Sequence, residues 1–228
     1  MFVRVQARPK LHLLWATPVL LAIMVAVGVW ESLLLPPEKS RFMRQFGTIP
    51  SEVINDIGTP SLRLLDLLTS QFIHVDVAHL LGNALFLSLF GIAVERVFRS
   101  RMVILLFILC GAISNATTAI LISQQTAPIV GASGAVSGLI GAYLFLFPRA
   151  SLGIVIPLGL YFHTERVPAP VLIGLWFFLQ VLFTFASSEA LTIAWFSHVI
   201  GFISGFLLAG IFRPLLMSGA RTRILQSR

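Results

Sequence analysis

Four side chains in this sequence are suited to chemistry and occupy similar settings: Ser133, His198, His79 and Asn83. A serine hydroxyl is a weak nucleophile until a base takes its proton. Imidazole is the side chain whose ordinary pKa fits that task near neutrality. His79 and Asn83 are four residues apart, so on a helix they share a face. An imidazole and an amide can donate hydrogen bonds to a developing oxyanion. Nucleophile, base and oxyanion donors together make an acyl-transfer site. Each residue also has a structural reading. Ser133 would only allow helices to pack, His198 would bond a neighbouring carbonyl, and His79 with Asn83 would be interhelical polar glue.

The elements that must position these groups are membrane helices. The chain has 228 residues, 57% hydrophobic and only 11% charged, with a mean hydropathy of +0.94. A soluble domain carries roughly 25% charge. At about 20 apolar residues per crossing, the sequence predicts an all-α, polytopic six-transmembrane-helix bundle and no sizeable soluble domain. The expected spans are 13–35, 78–94, 102–122, 133–147, 171–186 and 191–212. Residues 1–12 form a basic amino-terminal segment and 213–228 a basic tail, flanking a membrane domain over 13–212. Within it, 36–77 is a polar external loop with three short amphipathic helical patterns expected to rest on the membrane surface. The segment 151–164 is apolar but broken by Pro157, and is expected to be interfacial.

Charge orients the bundle. With both termini cytoplasmic, twelve of the sixteen Arg and Lys residues fall inside and the other four lie in the long first loop, as the positive-inside rule requires. The expected location is the bacterial inner membrane. The net charge of +7 then follows from cytoplasmic flanks and implies no nucleic acid. The single cysteine, Cys110, excludes an intramolecular disulfide and a multi-cysteine metal site. No metal or cofactor is expected. His74 would need a carboxylate beyond Asp76 to complete a metal set, and Asp76 reads as the N-cap of span two.

Orientation also fixes depth. Spans two, four and six run from outside to inside, and His79, Asn83, Ser133 and His198 all stand near their starts. Gly134 and Gly138, with Ser133, Ser137 and Gly141, recur every four residues on span four; His198, Gly201 and Gly205 share a face on span six. Two parallel helices with such faces approach closely in a membrane. Ser133 and His198 would then meet at the outer end of the contact.

These motifs resemble the rhomboid family of intramembrane serine proteases. The matching stretches are Gly131-Ala132-Ser133-Gly134 with Gly138 and Gly141, His198-Val199-Ile200-Gly201 with Gly205, and His74-Val75-Asp76 followed by His79-Leu80-Leu81-Gly82-Asn83, over roughly residues 40 to 212. The resemblance implies Ser133 as nucleophile and His198 as general base, a dyad with no acid. It implies His79, Asn83 and the Ser133 amide as oxyanion ligands. Two positions depart from the family pattern. Leu65-Asp66 stands where Trp-Arg is usual in the first loop. Ser137 stands where a bulky residue usually supports the histidine, leaving Trp195 or Phe202 to do so.

The activity implied is hydrolysis of peptide bonds in single-pass transmembrane substrates near the outer membrane face, with the lipid bilayer as the other partner. Span five carries Phe178 and Phe183 in its outer half and is the candidate substrate gate. Two alternatives stay open: a transporter or proton-relay protein built on the same histidines, and an inactive family member that binds client spans.

Overall fold

The computed structural model describes residues 13–56, 62–158, 161–186 and 189–226. The amino-terminal segment 1–12 and the turn residues Ser187 and Ser188 lie outside the described residues. The chain is mostly helical. Its elements are α1 (Ala16–Leu33), α2 (Pro36–Phe46), α3 (Pro50–Asn55), α4 (Asp66–Thr69), α5 (Val77–Phe86), α6 (Ile92–Leu121), α7 (Ser133–Leu146), β1 (Ser151–Leu158), β2 (Tyr161–Pro168), α8 (Ala169–Ala186) and α9 (Glu189–Gln226). One π-turn, Leu87–Gly91, joins α5 to α6.

Among the described residues, three helical stretches are long and apolar enough to cross a membrane: Ala16–Leu33, Val77–Leu121 and Trp195–Pro214. Two shorter apolar helices, Ser133–Leu146 and Ala169–Leu182, complete the apolar set. The 45-residue stretch Val77–Leu121 is kinked at Arg99, whose φ of 64° is outside the helical range.

The strictly all-α expectation needs one correction. Ser151–Leu158 and Tyr161–Pro168 pair as antiparallel strands, with Ser151 opposite Pro168 and Leu152 opposite Val167. The run Ile154-Val155-Ile156 and Val167 are β-branched and favour strand over helix. Pro157 cannot sit inside a helix without losing a hydrogen bond.

α7 is the hub. All of its residues from Gly134 to Tyr143 are buried, enclosed mainly by α6 and α9. Glycine sets the closeness of the α7–α9 contact. A Cβ added to Gly201 would overlap the Gly134 carbonyl, one at Gly205 the Gly138 carbonyl, and one at Gly141 the Phe202 carbonyl. Interhelical hydrogen bonds in membranes contribute about 0.6 kcal/mol each on average. Backbone-level packing therefore dominates, helped by Ser114 of α6, whose Oγ donates to the Ser197 carbonyl at 2.7 Å.

α1 is fixed to the bundle at both ends by buried carboxylates. Glu95 accepts from the Ala16 and Thr17 amides at 2.8 and 3.0 Å and from the Ser100 hydroxyl at 2.5 Å. It thereby satisfies donors that a helix start leaves open and places a negative charge at the positive end of the helix dipole. At the opposite end of α1, Glu31 accepts the His74 amide at 3.1 Å.

The short helices α2 to α4 cover the Ser133 end. Their polar groups form a network where Trp-Arg is missing. Thr48 Oγ1 donates to the Asp66 carbonyl at 2.9 Å and lies 2.9 Å from Ser70 Oγ. Asn115 Nδ2 donates to Ser70 Oγ at 2.9 Å and to the Leu67 carbonyl at 3.1 Å. Arg63 bridges Asp66 at 3.2 Å and Glu52 at 2.9 Å. Burial raises the Asp66 carboxyl above its usual range, against the pull of Arg63.

Candidate active site

Ser133 is the first residue of α7. A helix of 14 residues spans about 21 Å, less than the ~30 Å hydrocarbon core of a bilayer. The first intrahelical bond of α7 runs from the Val136 amide to the Ala132 carbonyl at 2.8 Å. The amides of Ser133, Gly134 and Ala135 thus precede the helical ladder, at the positive end of the dipole.

The segment leading into Ser133 is held by backbone bonds to Thr48 and Ser70. The Ile129 amide donates to the Thr48 carbonyl at 2.8 Å, and the Gly131 amide to the Ser70 carbonyl at 2.9 Å. Gly131 has φ +125°, and a Cβ there would lie 2.6 Å from His79 Cε1. Both the backbone and the neighbouring ring demand glycine. The same contact locates the His79 imidazole against the turn that presents Ser133.

His198 stands on α9 one turn before Gly201, the residue locked against Gly134. Ser133 and His198 are thus at the same end of the α7–α9 contact. The Ser133 hydroxyl bonds to no described residue. The described hydrogen bond of the His198 ring runs from Nδ1 to Gln180 Oε1 of α8, at 2.8 Å. Trp195 packs edge-on against His198 with ring centroids 5.7 Å apart. Phe202 packs against Trp176 and Phe177 of α8. Of the two candidates for supporting the histidine in place of a bulky residue at 137, the structure uses Trp195.

His79 and Asn83 share one side of α5. Asp76 caps that helix by accepting the His79 amide at 2.7 Å, as its position predicts. Asn83 is buried and donates back to the His79 carbonyl at 3.1 Å. The His79 ring lies near enough to His198 for the two to interact electrostatically. Behind it stands His74, 5.2 Å away and edge-on. Burial, with His79 adding to it, pushes the His74 imidazole down to about 4, so this ring is neutral at ordinary pH.

The two candidate gate residues, Phe178 and Phe183, are on α8. Phe178 is 59% exposed on α8. Phe183 belongs to the same helix, and its side chain lies outside the described residues. An apolar cleft of about 430 Å³ separates α5 from the first half of α8, lined by Phe86, Phe90, Tyr143, Ile173 and Trp176. Sequence reasoning passed over Gln180. The available signal was a lone amide in the otherwise apolar run of α8.

The sequence profile of the Rhomboid domain matches residues 61–215, more than half of the chain. YdcA of Bacillus subtilis (strain 168), named as a candidate rhomboid protease, is 32% identical over 149 residues, covering 63% of this chain and 64% of that protein. RHOMBOID-like protein 12, mitochondrial, of Arabidopsis thaliana is 33% identical over 107 residues, covering 40% of this chain and 32% of that protein. The chain thus spans less than two thirds of the length of either relative.

Proposed function

The chain belongs to the rhomboid family, and from that membership we propose that it is an intramembrane serine endopeptidase. In this reading six helical segments cross a bacterial inner membrane, both termini are cytoplasmic, and the Ser133 end faces outward. Residues 13–212 are the membrane domain and α2 to α4 lie at its outer surface. The substrates are single-pass membrane proteins.

His198 Nε2 takes the Ser133 proton as Oγ attacks the scissile carbonyl carbon. The oxyanion receives hydrogen bonds from the Ser133 amide, His79 and Asn83. The carbon–nitrogen bond then breaks and His198 returns the proton to the leaving amine. Water attacks the acyl-enzyme, gives its proton to His198, and Ser133 is regenerated. The observation that carries this reading is the Gly134–Gly201 interlock, which holds a serine and a histidine at one end of a single close contact. The test is reconstitution with a single-span substrate in liposomes. Cleavage in the outer part of its span is expected; histidine-dependent proton or solute flux without cleavage would replace this reading with transport.

Asn83→Ala lowers turnover more than substrate affinity, because a donor aimed at the oxyanion helps in the transition state alone. Losing one such donor costs about 10²–10³ in kcat. His79 and the backbone amide reduce the loss here. Steady-state kinetics check this: unchanged kcat with a raised KM would make Asn83 a substrate contact instead.

Substrates reach Ser133 between α5 and α8, with Phe178 and Phe183 at the moving end. Support for this route is the cleft between the end of α5 at Phe86 and the first half of α8 at Ile173 and Trp176, on the inner side of Phe178 and Phe183. A bifunctional crosslink joining Phe86→Cys to Trp176→Cys suppresses cleavage of a membrane-spanning substrate while small-probe labelling of Ser133 persists. Cleavage at the uncrosslinked rate would mean access from above.

A further inference from the structure

We infer that Gln180 is a positioning residue for the base: its amide oxygen holds His198 through Nδ1, leaving Nε2 open toward Ser133. The inference rests on the reading of Ser133 and His198 as a dyad. It assigns to α8 the task that a carboxylate performs in three-residue serine hydrolases.

The geometry is specific. Gln180 is 5% exposed, and its Oε1 lies 2.8 Å from His198 Nδ1. An amide oxygen accepts hydrogen bonds and cannot donate them. Nδ1 therefore carries the hydrogen and Nε2 keeps the lone pair. Trp195, edge-on from the same helix, restrains the plane of the ring but cannot select its tautomer. A carboxylate at position 180 would have to hold charge in an apolar helix, which is costly in a membrane. The neutral amide selects the tautomer without that cost.

The groups that bear on His198 from the surrounding helices are Gln180 of α8, bonded to it, and His79 of α5, near enough to interact electrostatically; α6 contributes the neutral Ser114 beside Ser197. Of these, His79 alone carries a titratable side chain. The competing role for Gln180 is a simple tie between α8 and α9. Trp176 and Phe177 already join these helices through Phe202, so loss of the amide leaves them packed.

Two measurements test the inference. Nitrogen-15 NMR of the histidine-labelled protein in detergent reads the tautomer directly. His198 is expected as the Nδ1–H form, and Gln180→Met, similar in volume, is expected to lose that selection. A predominant Nε2–H form in the unsubstituted protein would overturn the inference whatever the activity. Kinetics supply the second reading. Gln180→Met lowers kcat about 10–100-fold, as loss of a hydrogen bond orienting a working histidine does elsewhere, and KM stays near its original value. Gln180→Glu keeps an acceptor and retains more of kcat. Its carboxylate favours imidazolium, so the acid limb of kcat/KM moves to higher pH. Should Gln180→Met not fold, the Gln180→Glu profile decides. Unchanged kcat in Gln180→Met, or an unmoved acid limb in Gln180→Glu, would overturn the inference. An unsubstituted protein inert toward substrate and serine probes would instead defeat the dyad reading.

Discussion

Ser133→Ala and His198→Ala each abolish cleavage of a membrane substrate, by roughly 10⁴-fold or more, as loss of a nucleophile or its base does in serine hydrolases. Neither substitution disturbs the packing that holds the bundle. Ser133 is at the start of α7, ahead of its fully buried stretch, and His198 lies outside the Gly201–Gly205 contact. Expression and thermal stability of both variants stay close to the original. The double variant is no worse than either single one, because the two groups act as a unit. The check is product formation in liposomes, normalised to protein recovered. Substantial cleavage by His198→Ala would remove the histidine from its role as base.

The second large effect needs no reacting atom. Gly201→Leu inactivates the enzyme by separating α7 from α9, and Gly138→Leu by forcing α7 away from α6 and α9. At Gly201 the first added carbon meets the Gly134 backbone, and at Gly138 it meets Cys110 and the Gly201 carbonyl. Backbone cannot swing aside as a flexible side chain can, so the helices must part. A displacement of about 1 Å between reacting groups costs on the order of 10²-fold in rate, and a leucine demands more than that. Gly82→Ala and Gly174→Ala are the controls, since a Cβ at either position meets nothing within 4 Å. The comparison is activity per folded molecule across the four variants. Full activity in Gly201→Leu would show that this contact does not position Ser133.

The parts of the molecule that were legible in sequence are those where a missing atom or a fixed period dictates structure. Small residues four apart on α7 and α9 leave a groove that another backbone fills, so Gly134, Gly138, Gly201 and Gly205 announced the contact before any coordinates. Asp76 was readable as a cap because capping depends on residues three positions away. What depends on tertiary register was not legible. Gln180 is one amide in an apolar helix, and nothing local says that it meets Nδ1 of a residue eighteen positions later. Nor does anything local say that Glu95 meets the first amides of α1, which lie 78 and 79 residues away. The strand Ser151–Leu158 was missed because an apolar stretch broken by Pro157 has no clear period; pairing with the second strand decided it.

The central claim is that Ser133 is a nucleophile activated by its surroundings, and covalent labelling addresses it most directly. The purified protein is incubated with a fluorophosphonate, and the modified residue is identified by mass spectrometry. Phosphonylation at Ser133 is predicted, absent in Ser133→Ala and strongly reduced in His198→Ala, since an unassisted hydroxyl reacts slowly. Labelling that persists in Ser133→Ala, or an unlabelled but folded original protein, would contradict the account.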